Sequence, residues 1–284
     1  MRLHISWQDE NALSLRKIKR MPIITISRGS YSHGKKVAES VAGKLGYECV
    51  SREAILESSH QFITPAMESF KAGHNSHSST DTYAYAKEKY RAYVRKMLIE
   101  CFQKGNVVYH GFEGQFFVQG ISHVLKVRVI ADMDIRVAEE MSRKGITALQ
   151  ARKSLEKDDA AHHRWSHYIY GRDNADPSLY DMVIPLHAMG VDDAAEIICR
   201  AVKRPCFQPT PTSQNAMRML WLAAHVQVSL MEDIPFVKVD VEDKELVVTI
   251  KGNWTDGKKM MTRISRMMNE EKESVGIKVR LIGH

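Results

Sequence analysis

The feature that most constrains the fold is a glycine-bounded loop that joins a strand to a helix. The run Pro-Ile-Ile-Thr-Ile-Ser at 22–27 is short and rich in β-branched side chains, so it predicts a strand. The loop 29–34 follows directly, and apolar residues at helical spacing run from Val37 to Leu45. A strand, a tight loop and a helix in this order predict the first unit of an α/β domain.

The same loop fits a phosphate-binding motif. Residues 29–35 read Gly-Ser-Tyr-Ser-His-Gly-Lys and match G-x-x-x-x-G-K, in which backbone N–H groups and the lysine surround phosphates at the positive end of a helix. The alternative is an ordinary surface turn, and the strand and helix on either side favour the phosphate loop. The predicted phosphate contacts are Gly29, Ser30, Tyr31, Ser32, His33, Gly34, Lys35 and Lys36. Lys36 stands where a Ser or Thr hydroxyl normally contacts Mg²⁺.

Further apolar runs predict a parallel sheet. They lie at 107–109, 124–130 and 182–184, and each is flanked by amphipathic segments. Strands that alternate with helices are typical of α/β proteins, so this architecture is predicted to about residue 203. Helical spacing predicts a helix over 82–104, and the Ser-, His- and Asn-rich segment 73–82 is predicted to be a mobile loop.

A second unit is predicted after a proline-bearing linker. Prolines at 205, 209 and 211 interrupt both patterns, which predicts a linker at 204–212 between a first domain at 22–203 and a second at 213–284. Residues 1–21 are assigned to an N-terminal extension. The second unit reads as a small α+β domain in the order α-β-β-α-β, at 216–231, 236–241, 246–251, 258–270 and 277–282.

The charge balance points to a polyanionic partner. The chain has 41 Lys and Arg against 34 Asp and Glu, a formal net charge of +7, which suits a nucleotide, a nucleic acid or a lipid headgroup. Specific nucleic-acid binding is not expected, because neither a platform of interleaved aromatic and basic residues nor a recognition helix is evident. A cytoplasmic protein without a membrane span is expected, because no apolar stretch approaches the roughly 18–20 residues that a bilayer requires.

No metal site is predicted from residue spacing. The cysteines at 49, 101, 199 and 206 are scattered and are expected to be buried thiols. His163 and His167 share one helical face, but no neighbouring carboxylate has the spacing that completes a zinc site.

Three segments of the chain resemble a known family. Ile24-Thr25-Ile26-Ser27-Arg28, then Gly34-Lys35, and finally the run Asp-Pro-Ser-Leu-Tyr-Asp at 176–181 resemble the cytidylate kinase-like family of P-loop nucleoside monophosphate kinases, over about 22–203. The resemblance implies a P-loop kinase fold, a parallel sheet flanked by helices, with a nucleoside-monophosphate pocket and a mobile lid. It also implies transfer of the ATP γ-phosphoryl group, with Mg²⁺, to CMP or a related acceptor.

The resemblance assigns roles to individual residues. Lys35 would hold the donor phosphates, Arg52 would lie at the acceptor site, and Arg136 would lie at the base of the lid. The lid would be the basic segment 143–172, whose alternative interpretation is a solvated pair of helices. The predicted catalytic residues are Lys35, Arg136 and Arg164, and Arg52, Asp159, Arg172 and Asp181 join the loop as predicted nucleotide contacts.

Several positions depart from the family pattern. Phe112 replaces an arginine that follows a glycine, His162 replaces a lid arginine, and Ser51 replaces an acidic residue. Since removal of one cation can cost on the order of 10³-fold in phosphoryl transfer, two hypotheses stay open, an active kinase and a nucleotide-binding regulatory protein. The C-terminal pattern is similar to a BON-type domain, a binding fold, and its alternative is a structural or self-associating appendage.

Overall fold

The computed structural model describes most of the chain, in seven segments: 2–3, 22–29, 32–57, 81–234, 236–251, 262–267 and 275–282. The strands are β1 (Arg2–Leu3), β2 (Ile23–Arg28), β3 (Glu48–Ser51), β4 (Val107–Gly111), β5 (Val124–Ala131), β6 (Met182–Leu186), β7 (Lys238–Glu242), β8 (Glu245–Lys251) and β9 (Ile277–Ile282). The helices are α1 (Gly34–Leu45), α2 (Arg52–Glu57), α3 (Asp81–Gln103), α4 (Gly114–Phe117), α5 (Met133–Lys144), α6 (Ala148–Tyr170), α7 (Val191–Val202), α8 (Pro211–Leu230) and α9 (262–267).

The first domain is built on a parallel sheet of five strands in the order β3-β4-β2-β5-β6. The central strand β2 pairs with β4 on one side and β5 on the other, so that Ile24 lies beside both Val108 and Leu125. The predicted α/β class and the strands β2, β4, β5 and β6 are confirmed. The edge strand β3 is not foreseen by the pattern, because its four residues are exposed or half-buried and form no apolar run.

Alternate side chains of the sheet enter two cores on opposite faces. Ile23 packs with Tyr90, Leu98 and other residues of α3 on one face, whereas Ile24 packs with Val37 of α1 and with α7 on the other. This alternation follows from the two-residue period of a strand. The two faces are therefore covered by different helices, and the carboxyl edge of the sheet stays accessible to a ligand.

Helices α5 and α6 form an antiparallel pair at the position predicted for the lid. Arg136 and Arg152 tie the two helices together through Asp159 and Asp134. Thr147 caps the start of α6, since its hydroxyl oxygen accepts from the N–H of Gln150 at 3.4 Å. Among the described residues, no helix combines the length and apolar character needed to cross a membrane.

The predicted linker is an ordered connection. A short 3-10 helix, Pro205–Phe207, follows α7, and the side-chain amide of Gln208 donates to the carbonyl oxygen of Val202 at 2.8 Å. Helix α8 begins at Pro211, five residues before the predicted start. The reason is that proline suits the first helical position and that Thr210 accepts from the N–H of Ser213 at 3.1 Å.

The C-terminal region forms a separate mixed sheet in the order β1-β9-β8-β7. Asp243 and Lys244 both have positive φ, 50° and 64°, as a two-residue hairpin turn between β7 and β8 requires. The predicted α-β-β-α-β order is confirmed for the described residues, although the predicted helix 258–270 is described only over 262–267. The similarity to a BON-type domain and the domain boundaries stay predictions.

Helix α3 contributes to two cores. Tyr90 and Leu98 belong to the core beneath the parallel sheet, whereas Ala92 belongs to a second core formed with α8 and the C-terminal strands. Arg95 reaches across the second interface, where its Nη1 donates to the carbonyl oxygen of Val239 at 2.9 Å. Met217 of α8 is buried in the first core. The C-terminal region therefore packs directly on the first domain.

Candidate functional site

The phosphate loop is fixed by Ser32 and by two special backbone positions. The hydroxyl of Ser32 is buried 3.0 Å from the carbonyl oxygen of Gly29 and 3.1 Å from that of Val129. His33, before the first residue of α1, adopts a left-handed conformation with φ 55°. A Cβ on Gly34 would lie 2.6 Å from the Cβ of Arg28, so this position requires glycine. The predicted contacts Ser30 and Tyr31 lie outside the described residues.

The two lysines of the loop point to acidic partners. Lys35 Nζ lies 3.7 Å from Glu39 Oε1, and Lys36 Nζ lies 3.3 Å from Glu139 Oε1. Both lysine side chains are more than half exposed, at 64% and 57%. Exposed ion pairs of this kind contribute little to stability, so a phosphate can replace the carboxylate as a partner. The role of Lys35 at the donor phosphates stays a prediction.

A pocket of about 280 Å³ lies between the phosphate loop and the helix pair α5 and α6, the predicted lid. It is positioned at the carboxyl ends of β2 and β5, where open α/β sheets bind their ligands. Its principal lining residues are Arg28, Gly29, Ser32, Arg128, Arg136, Asp159, His162, His163, Asp173 and Asn174.

Three arginines from different elements converge on this pocket. Arg136 is nearly buried and makes a two-pronged ion pair with Asp159, with N–O distances of 2.8 and 2.9 Å. Arg128 Nη1 donates to the carbonyl oxygen of Asn174 at 2.8 Å, which holds its guanidinium against the segment after the lid. Arg28 is 3.7 Å from Glu53, and its Nε is buried without a hydrogen-bond partner among the described residues. The pocket is therefore suited to an anion.

The structure brings together only some of the predicted site residues. Gly29, Ser32, Arg136 and Asp159 line the pocket. The predicted contacts His33, Gly34, Lys35, Lys36, Arg52, Arg164, Arg172 and Asp181 are not among its lining residues.

Three of these side chains have partners elsewhere or face solvent. Asp181 binds β5, where its Oδ2 accepts from the backbone N–H of Lys126 at 2.8 Å and lies 2.9 Å from Lys126 Nζ. Arg164 is exposed on α6, and Arg172 lies 3.6 Å from Asp176. Asp181 is therefore placed as a structural anchor of the run 176–181, and nucleotide contact by all three stays a prediction.

Arg52 is held by a buried carboxylate next to the pocket. Its Nε and Nη2 donate to Glu113 at 3.1 and 3.3 Å, and the hydroxyl of Tyr90 donates to Glu113 Oε1 at 2.6 Å. Burial would raise the pKa of the fully buried Glu113, but the Arg52 guanidinium and these hydrogen bonds outweigh it and lower that pKa. Arg52 is consequently a cation with one strong partner already in place.

Two of the departures from the family pattern contact each other. The rings of Phe112 and His162 lie 5.4 Å apart, and His162 lines the pocket. Burial, and secondarily the Arg52 cation, lower the pKa of His162, so the imidazole is neutral at pH 7. An aromatic pair thus occupies the place where the family pattern has two cations.

Sequence reasoning missed Arg128. A signal was available, because β5 carries Lys126 and Arg128 at alternate positions of an otherwise apolar strand. Two basic residues on one face of a buried parallel strand are unusual and require partners, here Asp181 and the carbonyl oxygen of Asn174. Arg128 therefore adds a cation to the pocket that the sequence pattern alone did not identify.

The described residues do not fit the ordinary Mg²⁺ site of a phosphate loop. Lys36 offers an ammonium where a hydroxyl ligand is needed, and the Ser32 hydroxyl is occupied by two carbonyl oxygens. The pocket carboxylate of Asp159 is engaged on both oxygens by Arg136. The described residues therefore do not provide the free oxygen ligands that Mg²⁺ prefers.

Comparison with known proteins agrees with this architecture. The model of the cytidylate kinase-like family matches residues 23–187. The cytidylate kinase of Methanopyrus kandleri is 27% identical over 111 residues, which cover 36% of this chain and 58% of that protein. The chain thus spans a little over half the length of this curated relative.

One solved structure shows a similar fold at lower sequence identity. An uncharacterized protein from Eubacterium ventriosum is 16% identical with a TM-score of 0.51, and the match covers 65% of this chain and 100% of that one. A shikimate kinase from Acinetobacter baumannii in complex with shikimate is 12% identical with a TM-score of 0.39, over 65% of this chain and 94% of that one. The similarity of the first protein supports the fold alone.

Proposed function

The chain belongs to the cytidylate kinase-like family, and from this premise we propose that its first domain binds ATP and transfers the γ-phosphoryl group to CMP or a related nucleoside monophosphate. The observation that carries the proposal is the convergence of Arg28, Arg128 and Arg136 on one pocket beside the glycine loop. Phosphoryl transfer depends mainly on positioning and on neutralising charge, and such a pocket provides both. A cytoplasmic location is part of the proposal, since both nucleotides are available there.

Each arginine has a distinct task in this proposal. The unpaired Nε of Arg28 gains a phosphate oxygen as its acceptor, which removes the cost of a buried donor without a partner. Arg128 and Arg136 are fixed by Asn174 and Asp159, so their positive charge is already oriented when the nucleotides bind. In the reaction, an acceptor phosphate oxygen forms a bond to the γ-phosphorus, the bond to the β–γ bridging oxygen breaks, and ADP leaves.

A second candidate function is nucleotide binding for regulation, with little or no turnover. It is favoured by the contacts of the loop lysines with Glu39 and Glu139 and by the neutral pair Phe112 and His162. Binding needs only attraction of phosphates, whereas turnover also needs cations at the charge that develops in the transition state. The two functions therefore predict different rates of phosphoryl transfer but similar affinities for ATP.

A coupled assay of ADP formation with ATP, Mg²⁺ and each of CMP, dCMP, UMP and AMP tests the proposal, together with calorimetric titration of ATP. We expect turnover with one acceptor and a loss on the order of 10³-fold in kcat for Arg28→Gln. Lys35→Ala is expected to weaken ATP binding. Lys104→Ala, an exposed residue after α3 that neither lines the pocket nor belongs to the predicted lid, is the control and should leave both readouts unchanged.

The possible outcomes separate the two functions. ATP binding without turnover would support the regulatory function, and absence of both would refute the phosphate-loop assignment. If Arg164→Gln costs as much kcat as Arg28→Gln, then the lid closes further than the described arrangement, and the sequence-based role of Arg164 is correct. If Arg28→Gln is silent in an active protein, the arginine pocket is not the site of transfer.

A further inference from the structure

Three metal-binding side chains meet where the lid helix ends. His163 and His167 are one helical turn apart on α6, and their rings lie 4.4 Å from each other. Asp173 follows the end of the helix, and its Oδ1 lies 3.4 Å from Nδ1 of His163. One ligand atom from each of the three side chains lies within 4.8 Å of the other two. From this geometry we propose that His163, His167 and Asp173 bind a divalent metal ion of the Zn²⁺ or Co²⁺ class.

The distances suit tetrahedral coordination. Ligand atoms that are each about 2.0–2.1 Å from a tetrahedral zinc ion lie about 3.3 Å from one another. The 3.4 Å between His163 and Asp173 already matches this distance. The other ligand atoms lie no more than 4.8 Å apart, so at most about 1.5 Å has to be closed. Exposed histidine side chains close that gap by rotation about χ1 and χ2. The backbone need not move.

The local chain explains why the carboxylate joins the helix. Gly171, in a left-handed conformation with φ 67°, ends α6 and turns the chain back along it. The N–H of Ala175 donates to Asp173 Oδ1 at 2.8 Å, which orients the carboxylate. Such a contact resembles the hydrogen bonds that commonly orient metal ligands. Helical spacing alone could not show this carboxylate, because it belongs to the turn after the helix.

The donor set selects the class of ion. Two imidazole nitrogens with one carboxylate oxygen suit Zn²⁺, Co²⁺ or Ni²⁺, whereas Mg²⁺ and Ca²⁺ prefer oxygen ligands throughout. Three protein ligands leave one position of a tetrahedral ion open to water or to an anionic oxygen. His163 and Asp173 also line the arginine pocket, so the proposed metal site borders the site proposed for phosphates. Metal binding itself does not depend on the proposed kinase activity.

The alternative for the same contacts is a hydrogen bond between His163 and Asp173 beside a second histidine, His167, whose ring packs edge to face on that of His163. Co²⁺ titration of the metal-stripped full chain without nucleotide, followed by visible absorption, distinguishes the two. The proposal expects one equivalent of Co²⁺ with the intense bands of a tetrahedral ion, and displacement of these bands by Zn²⁺. His167→Ala and Asp173→Asn should each weaken Co²⁺ binding by at least about 10-fold, the smallest effect expected even for an outer partner of a metal ligand.

His187→Ala is the matched control. His187 is an exposed histidine paired with Asp132 at 2.6 Å, but no third ligand stands beside this pair among the described residues that could hold a metal. This variant should bind Co²⁺ as the unaltered chain does. The proposal is overturned if the unaltered chain shows no tetrahedral Co²⁺ spectrum, if either ligand variant binds with unchanged affinity, or if the control loses binding equally.

The two ligand variants are expected to stay folded, so a loss of Co²⁺ binding reports on the site itself. His163 and His167 are exposed, and Asn at position 173 keeps an oxygen that can accept from Ala175. Circular dichroism of each variant, compared with that of the unaltered chain, shows whether the helices are intact. A variant that keeps its helices and loses Co²⁺ binding supports the site.

Discussion

Replacement of Glu113 by glutamine tests the buried cluster beside the pocket. Glutamine keeps the shape of the side chain and removes its charge, so Arg52 loses its ionic partner while it stays largely enclosed. The carboxylate accepts two hydrogen bonds from Arg52 and one from Tyr90 and has no exposed surface. Breaking a buried ion pair from one side costs about 3–5 kcal/mol, and we expect this loss in the free energy of unfolding at pH 7.

Related variants show how much each contact of Glu113 contributes to this loss of stability. Tyr90→Phe removes the hydrogen bond that the hydroxyl donates to Glu113 and the one that it accepts from Arg52 Nη2 at 3.0 Å, and should cost at least about 1.5–3 kcal/mol. The double variant Glu113→Gln, Arg52→Met removes both charges, so it should cost at least about 1 kcal/mol less than the sum of the single variants. Glu53→Gln is the matched control. Its carboxylate is 61% exposed and 3.7 Å from Arg28, and the change should stay within about 0.5 kcal/mol.

Urea unfolding followed by tryptophan fluorescence and circular dichroism measures the unaltered chain and each of these variants. The milder Tyr90→Phe variant keeps the test informative if Glu113→Gln is too unstable to purify. The reasoning is refuted if Glu113→Gln costs no more than Glu53→Gln. A direct ion pair would equally be refuted if the costs of Glu113→Gln and Arg52→Met, measured separately, add up to the cost of the double variant within about 0.5 kcal/mol.

Three further results are expected. The lowered pKa of Glu113 contributes stability that is complete above the ordinary value of 4.5 and is lost as the pH falls, so acid unfolding of Glu113→Gln should depend less on pH in this range. Gly34→Ala should weaken ATP binding in calorimetry, because its Cβ would lie 2.6 Å from that of Arg28, whereas Gly43→Ala on the same helix has nothing within 4 Å and should be harmless. Removal of 212–284 should lower the melting temperature of the first domain, since Met217 belongs to its core, and an unchanged value would contradict this packing.

The local sequence pattern predicted the buried strands of the parallel sheet and missed its edge strand, β3. β2, β4 and β5 are runs of β-branched residues because both faces of a parallel sheet are covered, and this leaves a clear signal. β3 lies at the edge and carries Glu48 and Cys49, so only pairing with β4 identifies it as a strand. The linker reads as a break because proline ends one helix pattern, although Pro211 in fact begins the next helix.

The candidate site was harder to predict because its partners are distant in sequence. The glycine loop is a local motif, and the family resemblance brought attention to Arg136 and Asp159. Arg128, by contrast, gains its role from the carbonyl oxygen of Asn174, 46 residues away. The family pattern alone could not show that Phe112 and His162 form one aromatic contact, nor that Asp181 binds β5.

Helix α3 packs on two cores, so its sequence should indicate whether a related protein has a C-terminal region like this one. In this chain the face opposite Tyr90 and Leu98 carries Ala92, Tyr93 and Arg95, which pack on α8 and the small sheet. A relative that ends soon after the segment matched by the family model has no α8 to cover that face. The face would then be exposed to water, and polar residues are expected there. The residues of α3 alone should therefore sort family members into those with and without a C-terminal partner.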